Sequence, residues 1–140
     1  MAEMTAKEYL NQTKSLDMLI NAKQDELFAL RIASTSVSSP VLGDKVKSGS
    51  TNSAMRIVDK IIALQETINE EIDRLVDLKA EMREKISRVA VPVYVTLLTE
   101  KYINGLTFAQ IAERLDVDDR TVYRWHGTAL QIFRRENGML

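Results

Sequence analysis

The sequence predicts an all-α protein, in which a long N-terminal helical hairpin precedes a small three-helix domain containing a helix-turn-helix. Apolar residues recur every three or four positions through most of the chain, which is the period of a helix with one buried face. Two pairs with capping-box spacing, Thr5 with Glu8 and Thr107 with Gln110, mark helix starts. We therefore divide the 140-residue chain into a hairpin or coiled coil over residues 1–88 and a helix-turn-helix domain over residues 89–140.

The first helix is predicted from about Thr5 to Ala33. One stripe at heptad spacing runs along it and consists of Leu16, Ile20, Lys23, Leu27 and Leu30. Residues 34–53 follow, and they are rich in Ser, Gly and Thr and contain Pro40, so we predict a loop there. Its length is unusual for a plain connection, which indicates a binding role or local disorder.

The second helix is predicted from about Ser53 to Arg88. Its heptad positions are filled by Ile57, Ile61, Leu64, Ile68, Leu75, Leu78 and Met82. Glu71 and Lys85 interrupt this stripe, and Ile72 and Ile86 continue it one residue later. A helix of about 36 residues spans roughly 54 Å and cannot bury such a stripe alone. A folded-back hairpin and an oligomerisation coiled coil both fit the pattern, and we expect a homo-oligomer, with a dimer favoured.

The C-terminal domain is predicted to begin with a helix that has Pro92 in its first turn and that ends at Asn104-Gly105. In the helix-turn-helix that follows, Asp116-Val117 makes the turn and Asp118 caps the second helix. The predicted apolar positions of the two helices are Ile111, Ala112, Leu115, Val122, Trp125, Ala129 and Phe133. The small side chain of Ala112 lets the two helices cross closely. We expect Trp125, Phe108, Phe133 and Tyr102 to form core rather than to stack on bases.

One face of the second helix is a candidate for contact with the DNA major groove. The predicted DNA-binding residues are Arg120, Thr121, Tyr123, Arg124, Gly127, Thr107, Phe108 and Asp119. Arg120 and Arg124 have the donors to read guanine O6 and N7, and Tyr123 has a ring and hydroxyl for a thymine methyl or a phosphate. Backbone N–H groups of Thr107 and Phe108 would hold a phosphate at a helix start. The alternative for both arginines is a solvated surface position or pairing with Asp116, Asp119 or Glu113.

Charge in the predicted helix-turn-helix domain is balanced. The six positive residues are Lys101, Arg114, Arg120, Arg124, Arg134 and Arg135, and the six negative residues are Glu100, Glu113, Asp116, Asp118, Asp119 and Glu136. Domains that bind DNA unaided usually carry a basic footprint. The balance therefore keeps open a second function, in which this domain docks on RNA polymerase or another protein.

The segment YINGLTFAQIAERLDVDDRTVYRWHGTAL resembles region 4 of bacterial sigma factors. The chain as a whole more closely resembles small regulators of Gram-positive phages and prophages, of the RinA and ArpU type. SPVLGDKVKSGSTNSAMRIVDKIIALQETINEEIDRLVDLK is similar to the middle segment of that group. This resemblance implies a transcriptional regulator that binds double-stranded DNA. A small terminase subunit, which also joins a helix-turn-helix to a helical oligomerisation region, is a further alternative.

Composition argues against enzymes and membrane proteins. The chain has no Cys and a single His, His126, and it lacks a Gly-rich phosphate loop and an H-E-x-x-H motif. We therefore expect no catalytic residues, no metal and no cofactor. No apolar run approaches the ~20 residues that span a bilayer, and the N-terminus MAEMTAKEYL lacks the apolar core of a signal peptide. The sequence thus predicts a cytoplasmic protein without membrane contact.

Overall fold

The computed structural model describes residues 4–38 and 48–140, and these residues form helices joined by short turns without any strand. Five α-helices follow one another, together with a five-residue π-helical turn, here called the π turn. They are α1 (Ala6–Ser38), α2 (Ser48–Ser87), α3 (Pro92–Leu98), the π turn (Thr99–Ile103), α4 (Phe108–Leu115) and α5 (Asp119–Glu136). The all-α prediction is therefore confirmed.

Both long helices extend into the segment that we predicted as a loop over residues 34–53. Helix α1 ends at Ser38 and α2 begins at Ser48, while residues 39–47, with Pro40, lie outside the described residues. The side chain of Thr35 shows how a polar residue is accommodated in the last turns of α1. Its hydroxyl donates to the carbonyl oxygen of Arg31, one helical turn earlier, at 3.0 Å. Because the hydroxyl is bonded to the helix backbone, it does not favour a turn in place of the helix.

The chain divides into two compact units, of which the first comprises Met1–Leu16 and Leu75–Leu140. Its core draws on every helix and consists of Ala6, Tyr9, Leu10, Met82, Ile86, Val89, Leu97, Leu98, Tyr102, Ile103, Ile111, Ala112, Val122, Ala129 and Phe133. The rings of Tyr9 and Phe133 stack with centroids 6.3 Å apart. The core thus includes the start of α1 and the end of α2, which the sequence-based division at residue 88 assigned to the hairpin. A domain of about fifty residues has a marginal core, and the ends of the long helices enlarge it.

The second unit comprises Asp17–Arg74, and its described residues belong to α1 and α2. Lys23 forms an ion pair with Glu71, and Arg31 donates to Gln65 at 3.2 Å. From the first contact to the second, the residue number on α1 rises while that on α2 falls. The two helices therefore run antiparallel, as the predicted hairpin requires. The sequence places Lys23 in the apolar stripe of α1 and Glu71 in that of α2, and the structure pairs them.

A second row of side chains on α2 lies beside the stripe that packs on α1. It runs at alternating spacings of three and four residues and consists of Met55, Val58, Ile62, Gln65, Asn69 and Ile72. The apolar members, Met55, Val58, Ile62 and Ile72, are exposed, and Phe28 and Ile32 on α1 are exposed as well. We call this row the outer stripe of α2. Since α1 packs on the first stripe, α2 carries two helical faces with heptad spacing.

Candidate nucleic-acid interface

The helix-turn-helix of the first unit has the caps that its sequence predicts. Thr107 Oγ1 accepts from the N–H of Gln110 at 3.1 Å, and Gln110 Oε1 accepts from the N–H of Thr107 at 2.8 Å, which completes the capping box of α4. Asp116 ends α4 in the left-handed conformation, with φ of 57°. Asp118 then caps α5, because its Oδ1 accepts from the N–H of Thr121 at 2.8 Å.

Small and branched side chains join α4 to α5 at their crossing. Ile111 and Ala112 of α4 are buried, as are Val122 and Ala129 of α5. The buried alanines leave the helices room to approach closely, as predicted for Ala112. Trp125, expected to supply core, is only partly buried and packs against the edge of the core. This packing fixes which side of α5 faces outward.

The outward face of α5 carries the residues predicted for DNA recognition. Arg120, Tyr123, Arg124 and Gly127 are all exposed, and the Tyr123 side chain is 59% accessible. Their spacing of three and four residues places them on one side of the helix. Thr121 is half-buried and Asp119 is exposed in the first turn. Four of the eight predicted residues therefore form a continuous surface, and it lies opposite the buried Val122 and Ala129.

Neither arginine of this face is neutralised by a carboxylate of the described residues. The ion pairs of this unit involve Lys85, Arg88, Arg114 and Arg135, so the pairing of Arg120 or Arg124 with Asp116, Asp119 or Glu113 is not observed. Hydrogen bonds from Thr121 lower the pKa of the Asp118 carboxyl, and the charge of Arg124 lowers it further. Arg120 and Arg124 thus keep their hydrogen-bond donors available to a ligand.

An aromatic cluster supports Tyr123 from behind, and sequence reasoning did not find it. The ring of Phe108 lies 4.7 Å from that of Tyr123 and 4.9 Å from that of His126, measured between centroids. The Tyr102 hydroxyl and His126 Nε2 are 2.6 Å apart. The cluster joins the π turn, α4 and α5. The sequence shows only that each of these elements contains a ring, and not that the rings contact one another.

His126 is a neutral residue at pH 7. Burial lowers the pKa of its imidazole to about 4, and the positive charges of Lys7 and Lys101 lower it further. The tautomer of this neutral ring determines whether Nε2 accepts from the Tyr102 hydroxyl or donates to it. Burial also raises the pKa of Tyr102 to about 12. His126 therefore holds the cluster together and does not present a charge to a ligand.

Two predicted phosphate donors at the start of α4 differ in their availability. The N–H of Thr107 is engaged by Gln110, so the capping box uses the donor that was predicted to hold a phosphate. Phe108 is the first residue of α4, and the N–H at that position has no partner within a helix. Its side chain contributes to the aromatic cluster instead. Of the two, Phe108 keeps the role that the sequence assigned to its backbone.

Gly127 is the one residue of the outward face that lacks a side chain. A Cβ placed there would meet no atom within 4 Å, so the packing of the first unit does not require glycine. Glycine inside a helix costs about 1 kcal/mol relative to alanine. The chain therefore carries a destabilising residue at a point where the helix backbone is open to an incoming ligand.

Residues 4–38 and 48–140 contain no group of three His, Cys, Asp or Glu side chains placed to hold a metal ion. Within the same ranges, every helix is too short or too polar to cross a membrane.

Comparison with known proteins identifies a family but no function. No curated protein and no solved structure matches the chain. One family, described as "Protein of unknown function (DUF1492)", matches residues 36–133, which is about seven-tenths of the 140 residues. The match begins near the end of α1 and ends at Phe133, so it includes α2, α3, the π turn, α4 and most of α5. The chain belongs to this DUF1492 family.

Proposed function

We propose that this protein is a phage-type transcriptional regulator of the cytoplasm that binds double-stranded DNA through α4 and α5. The observation that carries the proposal is the outward face of α5, where two unpaired arginines flank an exposed tyrosine on a helix held rigidly by α4. A helix of this kind enters the major groove with residues near its N-terminus against base edges. Arg120 and Arg124 lie in the first two turns of α5, where such contacts are made.

Each residue of the face has a role that its chemistry supports. The guanidinium groups of Arg120 and Arg124 are suited to bidentate bonds with guanine, and such a contact contributes about 1–3 kcal/mol of base discrimination. The Tyr123 ring packs at a tilt of 52° against the Phe108 ring, so its orientation is restricted before a ligand arrives. Gly127 allows the α5 backbone to approach the groove wall closely. Together they predict a short contact with a few base pairs per chain.

A second copy of the chain is the expected partner of the outer stripe of α2. A helix that packs on α1 and still exposes Met55, Val58, Ile62 and Ile72 has an apolar face that the described residues of its own chain leave accessible. Gln65 and Asn69 lie in the middle of the stripe and bond to each other at 3.0 Å. Polar residues at such positions select register and oligomer number in coiled coils. A dimer would join two recognition helices and raise the avidity for DNA.

Selection of bound sequences from random duplex DNA at about 50 mM salt tests the function directly. We expect an enriched site, and a palindromic one if two copies bind together. Arg120→Ala combined with Arg124→Ala should abolish specific binding with the helical content unchanged. Arg134→Ala with Arg135→Ala is the matched control, since it removes the same charge from the other end of α5. Equal binding by the two double variants would show that the face is not the recognition surface.

The oligomer is tested separately by light scattering. Ile62→Gln with Ile72→Gln should convert the dimer to a monomer, because both side chains belong to the outer stripe. Ala63→Gln, at an exposed position of the same helix, should leave the dimer intact. A ring of eight or more chains would instead favour the alternative of a small terminase subunit.

Docking on RNA polymerase is the second candidate, and the balanced charge of residues 89–140 favours it. A wild-type chain that binds no duplex at low salt but is retained by immobilised RNA polymerase would replace the first proposal with this one. The same arginine variants then report whether the outward face of α5 is the docking surface.

A further inference from the structure

The start of α1 lies against the π turn within the first unit. The hydroxyl of Thr13 donates to the carbonyl oxygen of Tyr102 at 2.6 Å, and both residues are buried. The residues next to them in the chain, Lys14 and Lys101, are therefore brought to the same region. A count of charge over residues 89–140 alone omits Lys14, which comes from the other end of the sequence.

Lys101 connects this region to the recognition face. Its Nζ lies 4.4 Å from the centroid of the Phe108 ring, and Phe108 is in turn 4.7 Å from Tyr123. One aromatic ring thus separates the Lys101 ammonium from the outward face of α5. A cation over a ring face is held in place by the ring's electrons, so this charge has a defined position.

Lys7 and Lys14 extend the positive region along α1. They are seven residues apart, hence on the same side of the helix, and both are exposed. Burial lowers the pKa of the Lys101 ammonium, and the charge of Lys14 lowers it further. The charges of Lys7 and Lys101 likewise act on His126. Lys14 is thus close to Lys101, and Lys7 and Lys101 are both close to His126 of α5.

Within residues 4–38 and 48–140, the ammonium groups of Lys7, Lys14 and Lys101 lack an ion-pair partner. By contrast, Lys23 of α1 and Lys85 of α2 both form ion pairs. Like charges collected without counter-charges repel one another. An anionic ligand with several regularly spaced charges would remove that repulsion, and the backbone of duplex DNA has one negative charge per about 1.7 Å of helix axis.

We propose that Lys7, Lys14 and Lys101 form a phosphate-binding flank, which holds the DNA backbone next to the groove that α5 enters. This proposal rests on the DNA-binding function proposed above. It places part of the DNA-contacting surface on α1, outside the helix-turn-helix. It also accounts for how a helix-turn-helix with balanced charge acquires affinity, since phosphate contacts supply most sequence-independent binding.

The test uses the full chain with Lys7→Gln and Lys14→Gln, because neither side chain contributes to the core. Lys101 is left unchanged, since its contact with Phe108 has a packing role. The control is Lys60→Gln with Lys79→Gln, which removes the same charge from α2. Each protein is titrated with a mixed-sequence duplex of about 30 base pairs at several salt concentrations. Thermal unfolding followed by circular dichroism verifies that both variants are folded.

The slope of log Kd against log salt is the deciding quantity, because each lost phosphate contact reduces it by about 0.9. We expect the flank variant to lose between one and two units of slope and to bind roughly tenfold more weakly at low salt. Its base preference should be unchanged, whereas Arg120→Ala with Arg124→Ala changes preference. A flank variant with the slope of the wild type, or of the control, overturns the flank and leaves the function standing. A wild-type chain that does not bind duplex DNA overturns both.

Discussion

The two compact units differ in how completely they bury their apolar residues. Fifteen buried residues form one core in the first unit, whereas the described side chains of Asp17–Arg74 include only three buried apolar ones, Ile20, Leu27 and Ile68. The first unit surrounds its core with helices on several sides. The second has two helices, so each residue between them has neighbours on one side only. The difference teaches that the same heptad spacing yields a closed core in one place and an open face in another.

Matched isoleucine substitutions should expose this difference most strongly. Ile111 is 0% accessible in the first unit and Ile68 is 1% accessible in the second. Cavity formation makes such Ile→Ala changes cost about 2–5 kcal/mol, depending on how far the surroundings collapse. We expect Ile111→Ala near the upper end, about 4 kcal/mol, and Ile68→Ala near the lower end, about 2 kcal/mol. Urea unfolding followed by circular dichroism measures both. Equal costs would mean that the second unit is as tightly packed as the first.

Acid should weaken the first unit and spare the second. His126 has a folded-state pKa of about 4 and an unfolded pKa near 6.5, so between these values the unfolded state binds more protons. The free energy of unfolding therefore falls as pH drops from about 6.5 to 4, by on the order of 3 kcal/mol, and this contribution is flat below pH 4.

The variant His126→Gln removes the titrating group and should lack this fall, while its stability at pH 7 is somewhat lower than that of the wild type. Thermal unfolding at a series of pH values makes the comparison. A parallel decline in variant and wild type between pH 6.5 and 4 would rule out His126 as the cause.

Substitutions in the ion pair of the second unit should change the free energy of unfolding by a smaller amount. The single variant should be less stable than the wild type, whereas the double variant should not. Lys23 and Glu71 are partly shielded from solvent, and the second carboxylate oxygen of Glu71 is buried without a hydrogen-bond partner among the described residues. Lys23→Met alone leaves a shielded charge and should cost about 2 kcal/mol, whereas Lys23→Met with Glu71→Met should be neutral or stabilising. Chemical denaturation of the wild type, Lys23→Met, Glu71→Met and the double variant measures the coupling. A double variant less stable than the wild type would show that the pair itself stabilises the hairpin.

Substitution of Gly127 should show whether glycine at the outward face of α5 lowers the stability of the first unit. Since a Cβ at this position meets nothing within 4 Å, Gly127→Ala should raise the free energy of unfolding by about 1 kcal/mol, the difference in helix propensity. The same variant should bind DNA more weakly if the backbone approaches the groove there. Differential scanning calorimetry and a DNA titration give the two readings. An unchanged melting temperature would mean that the helix is already relaxed around the glycine.

Local features of the helix-turn-helix were predictable because they depend on neighbours in sequence. The capping box at Thr107, the cap at Asp118 and the left-handed turn at Gly105 each follow from residues within four positions. The buried and exposed sides of α5 follow from helical period alone. These features position the candidate DNA-binding face. Arg120, Tyr123, Arg124 and Gly127 could therefore be assigned to it without knowledge of the fold.

Features that join distant parts of the sequence could not be derived in the same way. Nothing in the residues around Thr13 indicates that its hydroxyl bonds to Tyr102, 89 positions later. The addition of α1 to the first core, and of Lys14 to the charge beside α5, depends on that kind of contact. The outer stripe of α2 was overlooked for another reason. Its polar members, Gln65 and Asn69, interrupt the apolar sequence, so the more continuous stripe that packs on α1 dominates the pattern.

The π turn has a consequence for insertions and deletions rather than for substitutions. Within it the N–H of Asn104 bonds to the carbonyl of Thr99, five residues back, at 3.0 Å, so the turn contains one residue more than a regular helical path needs. One residue corresponds to a rotation of about 100° around the helix axis. Loss of a single residue from 99–103 would let α3 continue as an ordinary helix and turn Lys101 and Tyr102 away from Phe108 and His126. The length of this five-residue segment thus determines the rotation of Lys101 and Tyr102 about the helix axis, and with it which side chains they contact in the first unit.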